Sequence, residues 1–131
     1  MKDKMRNIYK KEIIEMDRFE RVNLLTSLSG IKAASLVGTV SNQNISNAAI
    51  FSSIIHLGSN PALVGLLIRP QNKKLSDTYV NIKSNNSFTI NHVNENIIKK
   101  SHYTSAKTDS ATSEFDDVGL TEEYIDNFLS P

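Results

Sequence analysis

The strongest fold signal in this chain is a seven-residue apolar segment between two prolines. Residues 62–68 (ALVGLLI) are apolar at every position and lie between Pro61 and Pro70. Seven residues are too few for a typical helix, whereas a strand buried on both faces has such a continuous apolar run. The segment therefore predicts a buried strand, and we expect it to be central in a sheet.

Three further segments have strand character. Residues 31–40 are rich in small and β-branched residues, residues 48–55 form a second apolar run, and residues 87–93 alternate in polarity. Residues 41–47 (SNQNISN) have the composition of a turn. We therefore expect a mainly β fold with four or five strands, at least one hairpin short of a closed barrel, with an unpaired sheet edge.

Short helices are predicted before and between these strands. Residues 17–28 carry apolar side chains every three residues, begin with Asp17 followed three residues later by Glu20, and end near Gly30. A second helix is predicted over 77–84, capped by Ser76 or Asp77, and a third over 94–103, with Ile97 and Ile98 directed inward. Ser113 is predicted to cap a turn at Glu114 and Phe115, and residues 121–128 are predicted to form a last short helix. Residues 71–76 and 101–113 are predicted to be polar loops.

Composition limits the classes of partner. The chain has 131 residues, enough for one domain, and 15 basic against 14 acidic side chains give a net charge of +1. Such a charge provides no field that would recruit nucleic acid or an anionic membrane. We predict a basic N-terminal tail over residues 1–16 and one domain over residues 17–131. The chain has no cysteine, no export signal and no long apolar run, which fits a cytoplasmic protein.

Common catalytic and metal-binding patterns are absent from the sequence. The three histidines, His56, His92 and His102, have spacings that match no metal-ligand pair, so no metal site is predicted. No GxSxG, GxGxxG or GxxxxGK[ST] motif occurs, because the five glycines lie singly. We therefore assign no catalytic residue.

Several polar residues could instead recognise a phosphate ester. They are Asn47, Ser52 and Ser53 in the second apolar run, Arg69 after the third, and Thr78 and Asn81 at a predicted helix start. Hydroxyl groups, a guanidinium and free N–H groups at a helix start suit a phosphate. The same residues are also ordinary in turns and helix caps, and composition leaves both interpretations open.

Longer motifs help to decide whether these residues bind a phosphate or are ordinary turn and cap residues. Residues 41–70 resemble the signature of flavin reductase-like proteins, in which an Asn-led strand precedes a Ser-containing turn, a proline and an apolar strand. Residues 78–82 (TYVNI) resemble the Thr-x-x-Asn-Ile helix start of that family, and 102–105 (HYTS) with 113–115 (SEF) resemble its later signature. Many relatives carry glycine in the turn before the Asn, and here Asn44 is the residue best suited to a left-handed conformation.

The resemblance implies a split β-barrel, usually a homodimer, that holds FMN in a cleft near the dimer interface. By position, it assigns Asn47, Phe51, Ser52 and Ser53 to the flavin and its ribityl chain, Arg69, Thr78 and Asn81 to the phosphate, and His102 and Ser105 to the nicotinamide or substrate face.

The chemistry implied is hydride transfer from NADH or NADPH to flavin, in which the protein supplies binding and electrostatics. Relatives continue past the position of Pro131, so the resemblance also implies that the C-terminal part is missing. One alternative is a non-catalytic flavin-binding module or truncated pseudoenzyme. Another is a structural or nucleic-acid-associated β domain, which the near-neutral charge disfavours.

Overall fold

Five strands and five helices form the part of the chain that the computed structural model describes, which is residues 5–71, 74–106 and 111–131. In chain order they are α1 (Lys10–Glu15), α2 (Arg18–Ser27), β1 (Ser35–Val40), β2 (Ser46–Phe51), β3 (Ile54–Ser59), β4 (Ala62–Leu66), α3 (Asp77–Asn85), β5 (Thr89–His92), α4 (Ile98–Tyr103) and α5 (Glu114–Val118). The mainly β class and the number of strands are as predicted, but the strands form two open sheets rather than a closed barrel.

Strand β1 is the centre of the larger sheet. It pairs antiparallel with β2 on one side and with β5 on the other, and all six of its residues are buried. The core side chains Leu36, Val37 and Val40 lie on this strand. The central strand is therefore β1 and not residues 62–68.

The two faces of this sheet are covered by different helices. Successive side chains of a strand point to opposite faces, so Val37 and Thr39 share one face, and Leu36 and Gly38 share the other. We call them the Thr39 face and the Gly38 face. Helix α3 packs on the Thr39 face, where Asn81 Nδ2 donates to Thr39 Oγ1 at 3.1 Å.

The turn between β1 and β2 has the predicted left-handed residue. Asn44 has φ of 60°, and the backbone N–H of Ser41 donates to the carbonyl of Ile45 at 2.9 Å. The Ser41 hydroxyl also accepts from the N–H groups of Gln43 and Ile45. Asparagine suits this position because its short polar side chain tolerates the left-handed conformation.

Strands β3 and β4 form a separate hairpin that corrects two predictions. The predicted strand 48–55 is interrupted at Ser52 and Ser53, which divide β2 from β3. The segment 62–68 was expected to be buried and central, yet β4 pairs with β3 alone among the described strands, and Leu63 and Val64 are half exposed. An apolar run indicates that burial of both faces of a strand is favourable, but it does not show which element, if any, covers each face.

The predicted helices with local capping signals are confirmed. Helix α2 begins after Asp17, whose carboxylate accepts from the N–H groups of Phe19 and Glu20, and the chain turns at Gly30 with φ of 71°. Helix α3 begins after Ser76, whose hydroxyl accepts from the N–H of Tyr79. Such caps satisfy N–H groups that have no partner within the helix.

The predicted helix over residues 121–128 is wrong. Asn127 has a left-handed φ of 65°, which a helix does not allow, and Glu122 reaches across to Ser46 instead. Only a turn forms there, through the N–H of Phe128 and the carbonyl of Ile125. Contacts over long sequence distances therefore override the local preference.

Two smaller corrections concern the predicted helix 94–103 and the loop 101–113. Helix α4 begins only at Ile98, and this side chain is 57% exposed, whereas we expected it to point inward. The first residues of the predicted loop belong to α4, and residues 107–110 lie outside the described residues. Residues 72 and 73 of the predicted linker 71–76 also lie outside them.

The chain divides into two compact units, one that ends at Lys32 and one that spans Ala33–Pro131. Helix α1 occupies residues 10–15 of the predicted tail, and residues 1–4 lie outside the described part. Within residues 5–71, 74–106 and 111–131, no helix combines the length and apolar content needed to cross a membrane.

The cap of α2 leads to a pH prediction. Hydrogen bonds from the backbone N–H groups of Glu20 and Phe19 lower the pKa of Asp17 below its usual 3.8. The carboxylate therefore stabilises α2 above pH 3.8, and this contribution is lost as the pH falls through the lowered pKa. We expect acid to reduce the amide protection of Glu20. Asp17→Asn, which caps without titrating, should remove this pH dependence, and an unchanged dependence would contradict the assignment.

Candidate functional site

Three of the predicted cofactor residues meet in a buried cluster on the Thr39 face. Asn47 lies directly opposite Thr39 in the β1–β2 register, and its Nδ2 donates to Thr78 Oγ1 at 3.2 Å. Asn81, one turn after Thr78 in α3, donates to Thr39. All four side chains are at least nine-tenths buried. The cluster therefore ties α3 to the sheet by hydrogen bonds between side chains.

A small cavity of about 30 Å³ adjoins this cluster. Asn47 and Asn81 line it together with the carboxylate-bearing residues Asp77 and Glu114. This volume suits a single water molecule and not a flavin. Two neighbouring carboxylates also disfavour a phosphate dianion inside it. Neither a flavin nor its phosphate therefore fits in this cavity.

A second group of predicted residues lies on the surface at the β2–β3 junction. Ser53 is paired with Leu67 after β4, because its carbonyl accepts from the N–H of Leu67 at 3.0 Å and its hydroxyl donates to the Leu67 carbonyl at 2.8 Å. Arg69 follows two residues later, at most roughly 7 Å along the chain. The pairing of Ser53 with Leu67, two residues before Arg69, is a contact that the sequence alone did not show.

Arg69 is the best available phosphate ligand of this group. It is exposed, and its guanidinium makes no ion pair or hydrogen bond with residues 5–71, 74–106 or 111–131. A guanidinium presents five donors in a planar fork that matches two phosphate oxygens. These donors fit the phosphate of FMN, and Phe51, half buried on the same face as Asn47, adds an aromatic surface at the end of β2.

The predicted substrate residues His102 and Ser105 bond to each other and, among the described residues, not to either group. Ser105 Oγ donates to the carbonyl of His102 at 2.7 Å, and both side chains are exposed near the end of α4. Within the described ranges, no hydrogen bond joins either residue to the buried cluster or to Arg69. Their assignment to a substrate face stays a prediction.

Sequence reasoning missed a polar network on the Gly38 face. Ser46, Ser113, Glu122 and Tyr124 join through their side chains across as many as 76 residues. Ser113 was predicted only as a helix cap, yet its hydroxyl makes no cap hydrogen bond and faces Ser46 instead. No spacing rule links residues so far apart, so the sequence carried no signal for this network.

A larger cavity of about 380 Å³ also lies on the Gly38 face. Leu36, Phe115 and Leu120 form much of its apolar lining, and Lys100 and Glu123 add charge. None of the nine predicted site residues lines it, and the sheet separates it from the buried cluster. The described residues, 5–71, 74–106 and 111–131, contain no group of three or more histidine, aspartate or glutamate side chains that could hold a metal.

Comparison with known proteins agrees with the motif resemblance. The family model of the flavin reductase like domain matches residues 29–129. A protein assigned as a flavin reductase with a split barrel domain, from Shewanella frigidimarina, is 42% identical with a TM-score of 0.88, over 97% of this chain and 62% of its own. No curated protein matches significantly.

Two more distant structures share the fold. Nitrilotriacetate monooxygenase component B from Bacillus cereus is 21% identical with a TM-score of 0.81, over 98% of this chain and 63% of its own. The flavoredoxin of Desulfovibrio vulgaris is also 21% identical, with a TM-score of 0.68 over 76% of this chain and 52% of its own. The chain thus spans just over half to less than two thirds of the length of these structures.

Proposed function

Because the chain belongs to the flavin reductase like domain family, we propose that it binds FMN and takes part in hydride transfer from NADH or NADPH to that flavin. When bound, FMN would supply the hydride acceptor, and the protein would bind and orient it. This accounts for a chain in which we could assign no general acid, general base or nucleophile.

The exposed guanidinium of Arg69, which has no ion pair or hydrogen bond among the described residues, carries this proposal. Ser53 pairs with Leu67, two residues before Arg69, and in this proposal the cation and the two hydroxyl-bearing residues serve one site. We assign the phosphate to Arg69 and the ribityl chain to Ser52 and Ser53. The peptide carbonyl of Leu67 already accepts from the Ser53 hydroxyl, which leaves the Ser53 oxygen as an acceptor for a ribityl O–H.

The buried residues would act in support. Asn47, Thr78 and Asn81 hold α3 against the sheet, and Asp77 and Glu114 leave little room for phosphate beside them. In this proposal Asn47 and Phe51 border the flavin from the Thr39 face, Thr78 and Asn81 hold α3 against the sheet behind the site, and His102 and Ser105 take the nicotinamide side.

A homodimer is part of the proposal. Ile55, Leu57, Leu63, Val64 and Leu67 of the β3–β4 hairpin and its end are each about half exposed or more. An isolated hairpin is marginally stable in water, and exposed apolar patches often mark interfaces. A second copy that covers the hairpin would border the serine turn. Size-exclusion chromatography with light scattering should then give twice the mass of the chain.

Two assays separate an enzyme from a flavin-binding module. We expect the chain to quench FMN fluorescence saturably at micromolar flavin, and to oxidise NADH or NADPH faster than free flavin does. Binding without turnover above the free-flavin background would leave only the module. Absence of binding by a folded chain would contradict the proposal.

A further inference from the structure

Glu122 is the centre of a hydroxyl network that ties the C-terminal segment to β2. Its Oε1 accepts from the Ser46 hydroxyl, and its Oε2 accepts from the Tyr124 hydroxyl at 2.7 Å. Ser46 Oγ and Ser113 Oγ are 2.7 Å apart. We call Ser46, Ser113, Glu122 and Tyr124 the Glu122 clamp.

The shorter hydrogen bonds of the clamp share one direction. Ser46 has a single hydroxyl proton and gives it to Glu122, so Ser113 donates the bond between the two serines; Ser113 Oγ also lies 3.5 Å from Glu122 Oε1, a longer contact with the same carboxylate. Burial and the Glu122 carboxylate raise the pKa of Tyr124 to about 12, so its hydroxyl remains a donor at neutral pH. All the bonds thus end on one carboxylate, and bonds aligned in this way polarise one another.

The clamp acts at the residue next to a proposed flavin ligand. Ser46 is the first residue of β2, is 5% exposed and lies on the Gly38 face. Asn47 follows it and points to the Thr39 face, where it donates to Thr78. Because neighbouring residues of a strand alternate between faces, a rotation or slip at Ser46 displaces Asn47.

We propose that Glu122 is a positioning residue for flavin binding, because it holds Ser46 and thereby sets the orientation of Asn47 on the opposite face of β2. This inference rests on the proposed function. It adds Glu122 to the residues proposed to affect flavin binding. Glu122 lies 75 positions after Asn47, and neither the resemblance nor sequence spacing identified it.

The test compares Glu122→Ala with Glu123→Ala, which makes the same charge change at an exposed neighbour outside the clamp. We expect E122A to weaken FMN and riboflavin equally, by roughly 2- to 30-fold, which is the usual range for residues that act through others. E123A should stay within about twofold of the wild type. Loss of affinity for FMN alone would overturn the inference, since Asn47 is assigned to the flavin and not to the phosphate.

A measurement without flavin separates this inference from the proposed function. In E122A, but not in E123A, the side-chain amide of Asn47 should shift in the NMR spectrum and exchange faster, because its bond to Thr78 weakens. If E122A does not fold, Ser46→Ala removes the same link and should behave alike. A folded S46A or E122A with an unchanged Asn47 amide overturns the inference. A wild type that binds neither flavin instead overturns the proposed function, while the amide still reports on the clamp.

Discussion

Arg69→Ala is expected to weaken FMN binding by roughly 10- to 150-fold and to leave riboflavin binding within about twofold. Only FMN carries a phosphate, and loss of a charge-assisted hydrogen bond costs about 1.5 to 3 kcal/mol. The guanidinium has no other partner among the described residues, so its removal should not perturb the fold. Fluorescence titration of both flavins against each variant measures the difference.

Two control variants test whether the loss of FMN affinity in R69A is specific to the Arg69 guanidinium. Arg21→Ala makes the same charge change in the N-terminal unit, where the guanidinium donates to the carbonyls of Ile14 and Met16, and we expect both flavin affinities to be unchanged. Arg69→Lys keeps the charge without the planar fork and should give an intermediate loss. Equal weakening of FMN and riboflavin in R69A would move Arg69 away from the phosphate.

Gly38→Ala is expected to lower the free energy of unfolding by about 1 to 3 kcal/mol. A Cβ at this position would lie 2.6 Å from Thr89 Oγ1 and still closer to the carbonyl oxygen of Pro131. Alanine in a strand interior normally gains about 0.5 to 1 kcal/mol over glycine, so a loss here reports the clash directly. Urea unfolding of the wild type and the variant measures this difference.

Gly58→Ala is the matched control for G38A. It is also a strand glycine, but its Cβ would meet a single neighbour, the carbonyl oxygen of Pro61, at 3.2 Å. We expect its unfolding free energy to stay within about 1 kcal/mol of the wild type. If G38A were as stable as the wild type, Pro131 would not pack on the Gly38 face.

Features that depend on neighbouring residues were predicted well from the sequence. The caps at Asp17 and Ser76, the helix end near Gly30 and the left-handed position at Asn44 are where they were expected. Each depends on atoms within a few residues, so composition and spacing suffice to locate it. The family was also recognised from motif order, and the match to residues 29–129 confirms it.

The candidate site was predicted only in part. Sequence resemblance assigned Asn47, Thr78 and Asn81 to different parts of the flavin. It did not show that Asn47 and Thr78 form a hydrogen bond with each other, or that Asn81 forms one with Thr39 of β1. It also named Ser53 and Arg69, but not the pairing of Ser53 with Leu67, two residues before Arg69. Motifs assign residue types to a site, whereas hydrogen-bond partners depend on the register between strands.

By itself, the sequence determined the helix caps, the turn at Asn44, the family and the residue types available for phosphate. The tertiary structure alone decided that β1 is central and that the β3–β4 hairpin is exposed. It also decided that residues 121–128 form no helix and that Glu122 bonds to Ser46 instead. The physical reason is that periodicity shows which side of an element avoids water. What covers that side depends on contacts between residues far apart in the chain, and these exist only when the whole sheet has formed.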